Sequence, residues 1–149
     1  MKIIRRYLPN TLSRRDKQRQ RNMIVKSRRL YRQGKYYTRK PLKSFSSKPS
    51  NHVTRAKQLY HVGTIAATKE LAKATGCSVK GLREIVRKGE GAYYSSGSRP
   101  NQTPQSWGKA RLASSISGGN ASIVDYSIID KECNHRKTAY RLAKKRKVL

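Results

Sequence analysis

The sequence predicts a mainly α protein: a small helical core of about three short helices with a Gly/Ser/Tyr loop, carrying a long extended basic N-terminal arm and a basic C-terminal tail. Three observations lead there. The 149 residues hold 36 Lys or Arg against 7 Asp or Glu, a formal net charge of +29. Charge is also uneven: residues 1–60 carry 19 basic side chains and one acid, residues 61–134 carry 10 and six, and residues 135–149 carry seven and none. Finally, the middle segment holds every glycine except Gly34 and two short helical patterns with start and stop signals in succession. The expected division is therefore 1–60 as a basic arm with one helix near 14–33, 61–134 as a compact helical core, and 135–149 as a basic tail. Like charges repel in the arms, and little apolar surface offsets their ordering entropy.

Along the chain, Ser13 followed by Asp16 reads as a helix N-cap with an acid in the first turn, and Gly34 stands at the C-terminal cap, which predicts a helix over 14–33. Met23, Ile24, Leu30 and Tyr31 lie on one side of it, and the remainder is basic. The following GKYYTRKPLKSFSSKPSNHV mixes prolines, serines and scattered cations without a periodic core face, so it reads as an extended strap. Its aromatics Tyr36, Tyr37 and Phe45 suit either pockets on a neighbouring protein or stacking on bases.

In TKELAKATGCSVKGLREIVRKG, Thr68 caps one helix that stops at Gly76, and Ser78 caps a second that stops at Gly89. The pair resembles the helix-turn-helix of bacterial repressors, in which the second helix enters the major groove; its cationic outward positions here are Lys80, Arg83 and Arg87. The plainer reading is a helical hairpin that buries a few aliphatics, with Cys77 as a small core side chain. Residues 89–107 form a run of Gly, Ser, Pro and large side chains, among them Tyr93, Tyr94, Arg99 and Trp107. These mark a shaped loop rather than a flexible linker. Backbone N–H groups around Ser95 to Ser98, beside Arg99, suggest an anion-binding nest, although the loop lacks the Lys-Ser/Thr ending of a nucleotide-binding P-loop. Thr103 and Pro104 then open a last helix that ends at Gly118-Gly119.

The chemistry of catalysis is thinly represented. Cys77, Cys133, His52, His61, His135 and the acids fall in no active-site spacing, and no CxxC pair supports zinc, so no enzyme activity, cofactor or metal is expected. Asp125 reads as a cap or an arginine partner rather than an acid catalyst. Two cysteines are too few for a disulfide framework, so a reducing compartment is the default, with one Cys77–Cys133 bridge left open. No stretch approaches 18 consecutive apolar residues and MKIIRRYLPN has no signal-peptide apolar region, which predicts a soluble, non-secreted protein.

Three strings, YLPNTLSRRDKQRQ, RKPLKSFSSKPSNHV and KGEGAYYSSGSRPNQTPQSWGKARLASSISGGNASIVD, together resemble a family of small basic proteins of uncharacterised domain type in large double-stranded DNA viruses, notably algal phycodnaviruses and other giant viruses. The resemblance covers about residues 5–133, and GAYYSSGSRPNQT is its most diagnostic part. It implies a virus-encoded protein carried in the virion, of chlorella-virus type, and supplies no catalytic residues.

Two function classes follow. The first is a minor capsid component whose basic arm bridges or cements capsomers on the inner face, with the major and minor capsid proteins as partners and possible contact with DNA or an anionic membrane surface. The second is a nucleic-acid-binding protein: a histone-like condenser, a helix-turn-helix DNA binder or a ribosomal protein. Candidate contacts to DNA or another anionic partner are Arg14, Arg15, Arg28, Arg29, Lys80, Arg83, Arg87 and Arg99. Candidate protein anchors are Tyr36, Tyr37, Phe45, Tyr93, Tyr94 and Trp107, and their density favours the capsid reading.

Overall fold

The computed structural model describes residues 2–149. Eight α-helices succeed one another: α1 (Arg14–Arg32), α2 (Asn51–Tyr60), α3 (Lys69–Thr75), α4 (Val79–Ser95), α5 (Pro104–Ile116), α6 (Ala121–Val124), α7 (Tyr126–Glu132) and α8 (Thr138–Val148), with a single 3-10 turn at Arg5–Tyr7 before them. The mainly α class holds, and no strand occurs among the described residues. The described residues form two compact units, one of residues 2–48 with 90–107 and the other of 49–89 with 108–149.

Local capping chemistry fixes several helix ends where the sequence places them. Ser13 Oγ accepts from the Asp16 N–H at the start of α1, and Gly34, just past its end, takes φ +75°. Thr68 Oγ1 accepts from Leu71 N, and α3 stops at Gly76 with φ +81°. Ser78 Oγ accepts from Gly81 N at the head of α4. Thr103 and Ser106 exchange side-chain-to-backbone bonds of 2.9 and 3.0 Å, a reciprocal cap, and Pro104 takes the first position of α5.

The expected arm is folded. Tyr7, Leu8, Leu12, Ile24 and Leu42 are buried in the first unit together with Tyr93, which is fully enclosed. Gln20 ties the entry turn to the far segment, its Nε2 donating to Tyr7 O and Ser98 O. The strap between α1 and α2 is held as well: the Asn101 side chain accepts from Leu42 N and donates to Leu42 O and Phe45 O. Only a few inward-facing side chains are needed, so a charge average over 60 residues hides them. Their packing partner, residues 90–107, lies far along the chain.

The second unit has its own core: Ala56, Tyr60, Val62, Ile65, Leu71, Leu82, Ile85, Leu112, Ala113, Ile116, Ile128, Ile129, Ala139 and Ala143, with Cys77 and Cys133. Two further expectations change here. The basic tail is the helix α8, whose Ala139 and Ala143 are fully buried. A stripe of alanines carries too little hydrophobicity to stand out among seven cations. Gly89 does not stop α4 either, because a Cβ there would lie 2.7 Å from the Gly108 Cα of α5. The two glycines let the helix backbones approach, and that packing outweighs the helix cost of about 1 kcal/mol per glycine. The core thus spreads beyond 61–134, taking in α2 and α8 while losing 90–107 to the first unit.

Candidate nucleic-acid interface

In the second unit, the first half of α4 presents one charged face. Lys80, Arg83, Glu84, Arg87 and Lys88 are exposed, while Leu82, Ile85 and Gly89 are buried on the opposite side. The spacing of three, one, three and one confines the charges to about 140° of the helix circumference over about 12 Å. Four cations against one acid make the stripe net positive, and none of the four cations is ion-paired among the described residues.

The α3–turn–α4 element is braced from behind. Cys77 and Cys133 form a disulfide, and Ser78 N donates to Glu132 O while Asn134 N donates to Gly76 O. Gly81 lies under Glu132, where a Cβ would come within 2.5 Å of the Glu132 Cβ. Cys77 is buried, as a core side chain should be, but it is bridged rather than free, and sulfurs joined to each other offer no thiolate to zinc. Among the described residues no group of three or more His, Cys, Asp or Glu is placed to hold a metal ion.

Buried acids are engaged internally. Asp125, fully enclosed, accepts from Arg111 Nη2 at 2.7 Å and Nε at 3.0 Å and from Ser115 Oγ at 2.7 Å. It is the arginine partner that the sequence suggests. In the first unit, Asp16 accepts from Ser44 N, and the Ser44 hydroxyl and N–H hold its carboxyl below the usual carboxylate range. With Glu90 and Glu132 half-buried, only three of the seven acids are exposed, against 29 of the 36 Lys and Arg side chains.

One cation is buried in the first unit without any carboxylate. Arg39 Nη1 donates to Ser27 Oγ and Tyr93 O, Nη2 donates to Ser98 Oγ, and the guanidinium lies 3.8 Å from the centroid of the Tyr93 ring. Burial lowers its pKa, opposed by the Tyr93 hydroxyl region. This network organises the strap, since Arg39 N also donates to Tyr93 Oη at 2.8 Å. Sequence reading missed Arg39, because nothing local separates it from its many exposed neighbours.

The predicted contact residues fall into groups. Arg14, Arg15 and Arg29 are exposed on α1, and Arg99 is exposed beyond α4. Arg28 is half-buried, its Nε donating to Ser96 O and Nη1 to Lys2 O. The expected nest does not form at Ser96 and Gly97, because both N–H groups donate to Ala92 O, as they do when an α-helix ends. Among the anchors, Tyr93 is a core side chain and cannot reach a partner. Trp107 is half-buried, edge-on to Tyr7 at 6.0 Å, and Phe45 is half-buried. Tyr37 lies under Lys26 Nζ at 4.4 Å. Tyr36 and Tyr94 meet at 5.0 Å, and Tyr94 stacks on Tyr31 at 5.9 Å. Only Tyr36 is largely free, at 72% exposure.

These features define a small, strongly basic, mainly helical protein in which the braced α3–turn–α4 element carries an exposed cationic face. A model described as a family of unknown function (DUF5824) matches residues 5–144, and the chain belongs to that family. No curated protein and no solved structure matches the chain.

Proposed function

We propose that this is a non-enzymatic structural protein of a large DNA virus particle, whose work is to bind the phosphate backbone of the packaged duplex without sequence preference. The observation that carries the reading is the sorting of charge. Asp16 and Asp125 are buried with internal partners and only three acids are exposed, while 29 cations face solvent, including four on one face of α4. A surface of that kind gains affinity by releasing counterions from a polyanion, and it carries no base-specific information. Glu84, in the middle of the α4 face, disfavours close docking into a groove and fits backbone contact better than base reading.

Fluorescence anisotropy with a labelled duplex of random sequence tests this. Reversing Lys80, Arg83 and Arg87 to Glu should weaken binding strongly and reduce the slope of log K against log salt by about 2.7, roughly 0.9 for each lost phosphate contact. Unchanged affinity and slope would overturn the reading, and a strong sequence preference in the wild type would favour a repressor-like one.

A capsid role is the second reading. It loses the long extended arm as its support, but Ile123 and Val124 on α6 and Val148 and Leu149 at the end of α8 are exposed, and such side chains suit protein contacts more than nucleic acid. Stepwise stripping of particles with salt and detergent separates the two: release with the genome supports the first, release with the shell the second.

A further inference from the structure

We propose that the first unit carries a site for single-stranded nucleic acid, in which an unstacked base lies on Tyr36 beside Tyr31 and Tyr94, and the adjoining phosphate enters the cleft between Arg28 and Arg32. The inference uses residues separate from the α4 face and does not depend on the duplex reading.

The cleft has a volume of about 280 Å³ and is lined by Arg28, Tyr31, Arg32, Ser95 and Ser96. Helical spacing creates it: residues 28, 31 and 32 occupy one face of α1, and the serines close it from the end of α4. It is open, so it suits a chain passing over it better than a small molecule enclosed within it. Arg28 is held in place by its bonds to Ser96 O and Lys2 O, two neutral carbonyls that orient the guanidinium without cancelling its charge. Among the described residues neither Arg28 nor Arg32 is paired with a carboxylate. The serine hydroxyls add neutral donors to the same wall.

Beside the cleft, the three tyrosines form a platform. Tyr31 and Tyr94 are nearly parallel at 9°, and Tyr36 leans on both, with centroids 6.1 and 5.0 Å away. Tyr94 is half-buried, and Glu90 is the acid whose charge reaches it. Tyr36 is more open. Its ring is mostly in water, leaving a π face free, and the neighbours in sequence on α1 and after it are Arg29, Arg32 and Lys35, all exposed. An aromatic set among uncompensated cations is a poor anchor for an apolar protein pocket. It fits a polymer that alternates flat bases with negative charge, as stacking platforms in single-strand binders do. A duplex cannot use it in the same way, because its bases already stack on one another.

The test uses the full chain and compares a labelled thymidine oligonucleotide of about 20 nucleotides with a duplex of equal length, over a salt series. Tyr36→Ala should raise Kd for the single strand on the order of tenfold while changing duplex Kd less than about twofold, and Tyr36→Phe should restore binding. Arg32→Gln should lower the single-strand salt slope by roughly 0.7. Because both side chains are exposed, thermal melts should show the variants folded as the wild type is. Equal loss for single strand and duplex, or no loss for either, would overturn the proposal, the latter assigning the aromatics to a protein partner. If charge reversal on α4 leaves duplex binding intact while Tyr36→Ala still weakens the single strand, the α4 reading fails and this one stands.

Discussion

Replacing Asp125 by Ala probes the ion pair of the second unit whose carboxylate is fully enclosed. Asp125 has no solvent access and accepts three hydrogen bonds, two of them from Arg111, whose side chain is 19% exposed. Removing the carboxylate leaves a largely desolvated guanidinium without a partner and Ser115 without its acceptor. Breaking a buried pair from one side costs about 3–5 kcal/mol. The partial exposure of Arg111 lets water reach it, so the lower end, about 3 kcal/mol, is expected. Replacing both residues, Asp125→Ala with Arg111→Met, removes the orphaned charge along with the pair, and should recover about 2 kcal/mol of that loss. Urea unfolding followed by far-UV circular dichroism on the wild type, both single variants and the double variant gives the coupling directly. Single-variant losses that simply add, within about 0.5 kcal/mol, would refute the claim that orphaning, rather than the general loss of packing, sets the cost. A loss below about 1 kcal/mol for Asp125→Ala would show that the pair is not desolvated in solution.

Reduction of the Cys77–Cys133 bridge, which closes 56 residues of chain, should destabilise the second unit by about 4 kcal/mol by the chain-entropy relation; urea titrations with and without reductant check this, and coincident curves from samples with verified free thiols would contradict it. The pH dependence of the first unit should carry a contribution from Asp16. Its folded pKa is depressed by Ser44, so its stabilising contribution is present above the unfolded value near about 3.9 and fades as pH falls through the lower folded value. The stability difference between wild type and Asp16→Asn should therefore shrink as acid is added below about pH 4, and a constant difference from pH 7 to 2 would refute the assignment.

The starts of α1, α3, α4 and α5 were legible because their capping chemistry is local, whereas α2, α6, α7 and α8 have no side-chain cap to read. Ser13 with Asp16, Thr68 with Leu71, Ser78 with Gly81 and Thr103 with Ser106 each act within three residues. The outward cations Lys80, Arg83 and Arg87 were legible for a related reason: helical periodicity and the desolvation cost of charge together place them in water. Asp125 was legible only as a cap or an arginine partner, because the residue that decides between them, Arg111, lies 14 positions away.

Tertiary structure alone decided the rest, and in each case the deciding partner is distant in sequence. Arg39 becomes a buried anchor because Tyr93, 54 residues on, supplies both a carbonyl and a ring face. Gly89 passes from an apparent helix stop to a helix interior because Gly108 comes against it. Residues 2–48 fold because 90–107 cover their few apolar side chains, and α8 forms because Ala139 and Ala143 find a core to enter. The tyrosine platform follows the same rule, since Tyr31 and Tyr36 meet Tyr94 only once α1 and α4 are packed. A sequence records what a residue can do within one or two turns, whereas burial depends on which distant segment removes its water, and composition averages cannot carry that information.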